Sequence, residues 1–535
     1  MRVLHDLGNS TLDFVENTRL GATAFRILRL GIFALLILAA GRYASAQFLA
    51  FTLHDVVFIA ATALVFMLVF WRWEAGIVLI LATTTFIFYS DYLPTLSLYH
   101  FIPEIRILEP LRLQLGQGLM LYLLALFVAS NEVRTLRQRA ATPLTPAVLI
   151  FLVTALFASV SGVVFKSVPL NFMVEWSRPY SFYLMYFVAL LCIRGRRELR
   201  ILLGAFYVMA LVMAFLMFVQ FAVGDRFKLF LGGNIRVESF GSRAGRILPP
   251  GSDLVWMAIP FVVARIPTMS AKGRKWMVVS LSLLLGGLLL TFTRTVWMGT
   301  VVSMGIMAVL GRGEIRRGLL HTFLAMAAFA GLLLLVLSLV STEKENYVTP
   351  YIKRFTSTFE PESYGETTSA GARWIEIRSA WPKVVENPWL GVGVGGSYMQ
   401  VEAWDDRGQA HYLRHVRYMH NAYMLVLTTM GALGLGTLLL MYVVFFARAR
   451  KIYRSLIDPV DRSIVLASIG AIASIMVGAI MQPTFGGSLD VPMIGTIFGI
   501  IELVRYLSAN EAKQRAAAQA VRLVPGRPAA LRAAR

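Results

Sequence analysis

Apolar blocks of about 20 residues recur along most of this chain, close to the length a helix needs to cross a bilayer. They read near 27–41, 56–71, 75–93, 115–130, 145–164, 179–193, 201–223, 252–267, 276–292, 295–311, 319–340, 421–447, 463–481 and 493–507. Lipid offers no partner to a backbone N–H or C=O, so blocks of this length are expected to be helices that satisfy those groups internally. The expected fold is all-α: a polytopic helical membrane protein with about 12–14 transmembrane helices and one large, mainly helical outer loop domain. Hydrophobic residues make up 57% and charged residues 15% of the 535, outside the range of ordinary soluble domains, which excludes a soluble enzyme, a fibrous protein and a disordered tail. The single cysteine, Cys192, excludes an intrachain disulfide and makes redox chemistry an unattractive reading.

The net charge of +21 has a topological explanation. With the N-terminus in the cytoplasm, every second gap is Arg-rich: Arg134, Arg137 and Arg139; Arg194, Arg196, Arg197 and Arg200; Lys272, Arg274 and Lys275; Arg312, Arg316 and Arg317; Arg448, Arg450, Lys451 and Arg454. That asymmetry sets both termini in the cytoplasm and leaves little reason to invoke nucleic acid as a partner. Asp6, Asp13 and Glu16 precede the first apolar block, so a cleaved signal peptide is not expected. The organisation is then a cytoplasmic segment 1–26, a helix bundle 27–340 with a basic outer loop at 224–251, a large outer loop domain 341–419, further transmembrane helices 420–507, and a basic cytoplasmic tail 508–535 that contacts the inner leaflet.

Within the large loop, Tyr347, Tyr351, Phe355 and Phe359 recur every four residues, as on one face of a packing or interfacial helix or a stacking platform. Trp374, Ile377, Arg378 and Trp381 fit a second helix that opens after Thr368 or Ser369 and is bent or ended by Pro382. The glycines of E-N-P-W-L-G-V-G-V-G-G, residues 386–396, lack the βαβ surroundings of a dinucleotide loop and are expected to permit a tight turn or a close backbone approach. His411 and His415 have the spacing of a metal pair, yet Arg414 and Arg417 stand between and beside them, which disfavours a metal and suits an anion. No metal and no cofactor is expected.

Arginine also gathers on the outer face elsewhere, with Arg236, Arg243 and Arg246 in a loop where basic residues should be scarce and Arg294 between two spans. One arginine at a span end can simply snorkel to the headgroups, but several together offer planar donor forks matched to phosphate oxygens. His420, where the large loop re-enters the membrane, is favoured in its neutral form beside such cations and can serve as a general base, with Asn421 holding the ring or a substrate hydroxyl. A packing or capping histidine is the alternative.

Arg373 and Trp381, then N-P-W-L-G-V-G (Asn387 to Gly393), H-N-A-Y-M (His420 to Met424) and M-G-A-L-G-L (Met430 to Leu435), resemble the signature of the O-antigen ligase and polymerase superfamily, and T-R-T around Arg294 resembles that family's Ser-Arg motif. The resemblance covers about residues 230–480. It implies a glycosyltransferase of the bacterial inner membrane, metal-independent and inverting, acting on its periplasmic face. The donor it implies is an undecaprenyl-diphosphate-linked glycan, and the acceptor is either lipid A core, for a ligase, or a lipid-linked glycan, for an O-antigen or exopolysaccharide polymerase. Arg294 and one or more of Arg236, Arg243 and Arg246 would then hold the diphosphate and His420 would activate the acceptor, with Asn421, Arg414, Arg417 and Arg373 as further substrate-binding candidates. Competing readings are a secondary transporter, against which stands the scarcity of acidic residues inside the spans, and a peptidoglycan-type polymerase, for which Asp405 and Asp406 would be the outer acids.

Overall fold

The computed structural model describes residues 72–85, 115–129, 133–224, 251–340, 369–399, 417–485 and 490–523, with shorter pieces at 64, 66–69, 96–97, 112–113, 229 and 247–249. The described chain is helical almost throughout. Its helices are α1 (Trp73–Thr85), α2 (Leu115–Ala129), α3 (Val133–Arg139), α4 (Leu144–Lys166), α5 (Leu170–Ser181), α6 (Met185–Cys192), α7 (Arg196–Val223) and α8 (Asp253–Arg265), followed by α9 (Ala271–Leu290), α10 (Arg294–Leu310), α11 (Gly313–Val340), α12 (Ser369–Glu386), α13 (Ala422–Ser455), α14 (Pro459–Gly478) and α15 (Val491–Leu523). A two-residue antiparallel ladder pairs Leu96–Ser97 with Arg112–Leu113.

Six described helices are long and apolar enough to cross a membrane, namely α4, α7, α9, α13, α14 and Val491–Ala517 of α15. The chain is an all-α, multi-pass membrane protein. Other expected spans take shorter forms: α8 has 13 residues and α10 has 17. The segment expected as one span at 179–193 is divided among the end of α5, a 3-10 turn at Phe182–Leu184 and α6, with Pro179 inside α5. The block at 27–41 and the aromatic series Tyr347 to Phe359 lie outside the described residues. Pro382, expected to bend or end its helix, does not end it, since α12 runs on to Glu386.

Between membrane helices packing replaces the hydrophobic effect, and small side chains let backbones approach. Along the antiparallel pair α10 and α14, a Cβ added to Gly299 would lie 2.7 Å from the Ser474 carbonyl oxygen, and one added to Gly470 would lie 2.8 Å from Ser303 Oγ. Several buried hydroxyls pair off as a low dielectric demands: Tyr183 and Tyr442 share a hydrogen bond of 3.1 Å, and the Tyr186 hydroxyl meets Thr142 and Thr145 at 3.0 and 2.8 Å.

Ion pairs lock one end of the bundle. Arg196, at the start of α7, grips Asp461 of α14 with both terminal nitrogens and Glu511 of α15 through Nε at 2.8 Å. Glu502, its side chain fully buried, accepts from Arg448 at 2.7 and 3.0 Å and from Arg505 at 3.0 Å. Asp461 is equally buried, and neutralising it would leave a guanidinium without its main partner. Asp461→Asn is therefore expected to destabilise the bundle by about 3–5 kcal/mol. Thermal unfolding in detergent checks this, and an unchanged midpoint would show that the pair contributes nothing.

The expected span 421–447 is not one rod. Gly431 interrupts α13 with φ 66° and ψ −167°, a conformation open to glycine because it has no Cβ. The ring of Phe485 lies 5.1 Å from both Tyr423 and Tyr442, residues that a straight helix would hold about 28 Å apart. The half-helix 422–430 thus folds back toward the remainder of α13. Such a break frees backbone groups, and inside a membrane protein these must find partners within the protein. The glycine-rich segment supplies them: Val392 N–H donates to Thr428 O at 2.9 Å, Ala432 N–H to Pro388 O at 2.8 Å and Leu433 N–H to Trp389 O at 3.2 Å. Gly391, Gly393 and Gly395 all have positive φ, and a Cβ on Gly162 of α4 would sit 2.8 Å from Gly393 Cα. Close backbone approach is what these glycines permit.

Candidate functional site

The folded-back half-helix begins at Asn421, whose side chain accepts from Met424 N–H at 2.8 Å and so caps it. His420 stands immediately before the cap. Its neighbours on the other side are tied down twice: Tyr398 donates its hydroxyl hydrogen to Tyr418 O at 2.6 Å, and Arg417 Nε donates to Gly395 O at 2.9 Å. The glycine-rich segment that fills the break in α13 therefore also fixes the turn that presents the histidine.

Glu376 of α12 meets His420 at two points. One carboxylate oxygen lies 2.7 Å from Nδ1 and the other accepts the His420 backbone N–H at 2.9 Å. The glutamate side chain is 18% exposed and the histidine's 36%, so the acid is the sheltered member and the ring the accessible one. Tyr418 packs edge-on against the ring, centroids 4.9 Å apart. Burial, with the Glu376 charge adding to it, pushes the Tyr398 phenol well above its ordinary range, so it remains a donor at neutral pH.

Sequence reasoning missed Glu376. The signal was present on α12, where Ala380 and Val384 are buried against Tyr398, Met419, Met424 and Leu425, and Glu376 continues that i, i+4, i+8 stripe. A carboxylate on the inward stripe of an amphipathic helix requires a partner. Trp374 and Trp381, the residues that drew the helical period, are instead 63% and 54% exposed on another face.

Arg294 opens α10 and is half-buried, with Thr293 at the cap position. Its relation to His420 follows from register. The pairs Ser303 with Gly470 and Gly299 with Ser474 advance one turn at a time toward the start of α10 and the end of α14, and the next step brings residue 295 level with 478. Ala479 O accepts Ala422 N–H at 2.9 Å, and Tyr423 donates to Met476 O at 2.8 Å. Arg294 and His420 consequently belong to the same end of the bundle. Helix-packing distances put their backbones within roughly 20 Å of one another. Each sits at a helix N-terminus, where backbone N–H groups carry partial positive charge. Arg448, near the far end of α13, belongs to the opposite, ion-paired end.

The remaining candidates separate. Arg417 is buried, its guanidinium 3.8 Å from the Phe172 ring centroid as well as bonded to Gly395 O; burial lowers its pKa from the ordinary value, yet arginine stays charged in such a setting. Arg373 is half-buried on α12, three residues before Glu376 and on the same side. Arg236, Arg243, Arg246 and Arg414 lie outside the described residues, as do His411, His415, Asp405 and Asp406. A pair of neighbouring acids was not foreseen. Asp490, just before α15, is buried beside Asp253 at the start of α8, and burial together with that neighbour pushes its carboxyl well above the usual range.

Comparison with known proteins bears on the same elements. No curated protein matches the chain. Residues 279–439 match the family model described as O-Antigen ligase, a window that runs from α9 through Arg294, Glu376 and the glycine-rich segment to His420 and the broken α13. Across these 161 of its 535 residues the chain is similar to the O-antigen ligase family.

Proposed function

We propose that this protein transfers a glycan from an undecaprenyl-diphosphate carrier to an acceptor hydroxyl at the periplasmic face of the bacterial inner membrane, with inversion and without a metal. The observation that carries this reading is the shared position of Arg294 and His420, two helix N-termini brought to one end of the bundle inside the family-matched region. A guanidinium at the head of α10 suits a diphosphate, because its planar fork pairs with phosphate oxygens and its charge offsets what builds up as the leaving group departs. The accessible imidazole of His420 suits a general base. In the step itself the acceptor O–H proton passes to His420 and the freed oxygen bonds to the anomeric carbon. The bond from that carbon to the diphosphate breaks with its electron pair on the phosphate oxygen. Arg236, Arg243, Arg246, Arg414 and Arg373 are proposed as further contacts to the diphosphate or the sugars, and Asn421 as a contact to the acceptor in addition to its capping bond.

Reconstitution of the purified protein with a lipid-linked oligosaccharide tests the proposal. Transfer onto lipid A core identifies a ligase, and extension of one lipid-linked glycan by another identifies a polymerase. No transfer to either acceptor, with solute uptake that survives His420→Ala and Arg294→Ala, would replace the proposal by a transporter.

A further inference from the structure

The contact between Glu376 and His420 leads beyond the identity of the base to the way it is set. Resting on the reading of His420 as the base, we propose that Glu376 is its positioning residue, which fixes the imidazole tautomer and orientation and stabilises the imidazolium formed during transfer. An ionised carboxylate only accepts hydrogen bonds. Oε1 at 2.7 Å from Nδ1 and Oε2 at 2.9 Å from the backbone N–H of the same residue therefore require the ring hydrogen on Nδ1, which leaves the lone pair on Nε2 for the incoming hydroxyl. The double contact holds residue 420 by main chain and side chain at once, so the ring can neither flip nor swing without losing a bond.

The carboxylate itself is held in place. Glu376 follows the buried stripe of α12 that rests on Tyr398, Met419, Met424 and Leu425, so a rigid helix face, rather than a loop, sets its approach to the ring. When the acceptor proton arrives on Nε2, both ring nitrogens carry hydrogen and the imidazolium lies against a negative charge. Among the described residues, the other titratable groups facing the pair are the phenols of Tyr398 and Tyr418, with Arg373 one turn away on the same helix. Tyr398 stays protonated, and neither phenol offers the ring a negative charge.

Glu376→Gln supplies the test in the full-length protein reconstituted with lipid-linked oligosaccharide. The amide keeps the size of the side chain but sets an NH₂ group against one of the two N–H donors. The expected result is a fall in kcat of about 10- to 100-fold with the donor KM unchanged. Glu376→Asp, which keeps the charge at shorter reach, is expected to recover part of kcat. Wild-type kcat in Glu376→Gln would overturn the proposal, and so would a loss of activity that Glu376→Asp does not recover and that comes with a raised donor KM and a lowered unfolding midpoint. If Glu376→Gln is fully active while His420→Ala is inert, the positioning role alone fails; if His420→Ala is active, the reading beneath it fails.

Discussion

Replacing His420 with alanine is expected to lower glycan transfer by about 10²- to 10⁴-fold while the protein still folds and still binds its lipid-linked donor. The size of the effect follows from the role: removal of a general base forfeits its catalytic factor, and donor affinity rests on the diphosphate contacts. The structural cost is expected to be small because the His420 side chain is partly exposed and its described polar contact is with Glu376. The capping bond of Asn421 and the ties of Arg417 and Tyr398 to the same turn remain. Single-turnover transfer and donor binding, measured side by side, check the separation. Unchanged turnover would remove the base.

Arg294→Lys is expected to cost about 10²-fold in transfer, and Arg294→Ala about 10³-fold, with most of the loss in kcat. Lysine keeps the charge but offers an ammonium where arginine offers two parallel N–H donors, so it cannot hold a phosphate in a fixed orientation. Position 294 makes this distinction sharp. It heads α10, whose packing against α14 through Gly299 and Ser303 fixes the helix axis, so a shorter or differently shaped side chain cannot be accommodated by moving the backbone. Kinetics of both variants with one lipid-linked oligosaccharide provide the check. Equal activity of the lysine variant would reduce the residue to a local charge.

The architecture was legible where it depends on local chemistry. Runs of apolar residues near 145–164, 201–223, 276–292 and 463–481 became α4, α7, α9 and α14 because a membrane helix satisfies its backbone within its own segment. The glycines of 391–396 read as sites of close approach for the same reason, since the absent Cβ is a property of the residue itself. What escaped the sequence depends on distant partners. The break at Gly431 is held by the carbonyls of Pro388 and Trp389, and a hydropathy pattern cannot separate a broken apolar run from a continuous one. Glu376 reaches His420 across 44 residues, and Asp253 meets Asp490 from a different helix altogether. Arg417 reads with Arg414 and the nearby histidines as a cation suited to an anion; its stacking on Phe172 arises only once α5 and the glycine segment have come together.

An experimental structure of the protein with undecaprenyl diphosphate bound would test the central claim most directly. The diphosphate is expected at the end of the bundle where α10 and the half-helix of α13 begin, with phosphate oxygens about 2.7–2.9 Å from the Arg294 guanidinium. The His420 ring should face the open side of that headgroup, with Glu376 behind it. A diphosphate lodged instead at the opposite, ion-paired end of the bundle, or Arg294 turned away into lipid with the headgroup bound elsewhere, would contradict the account.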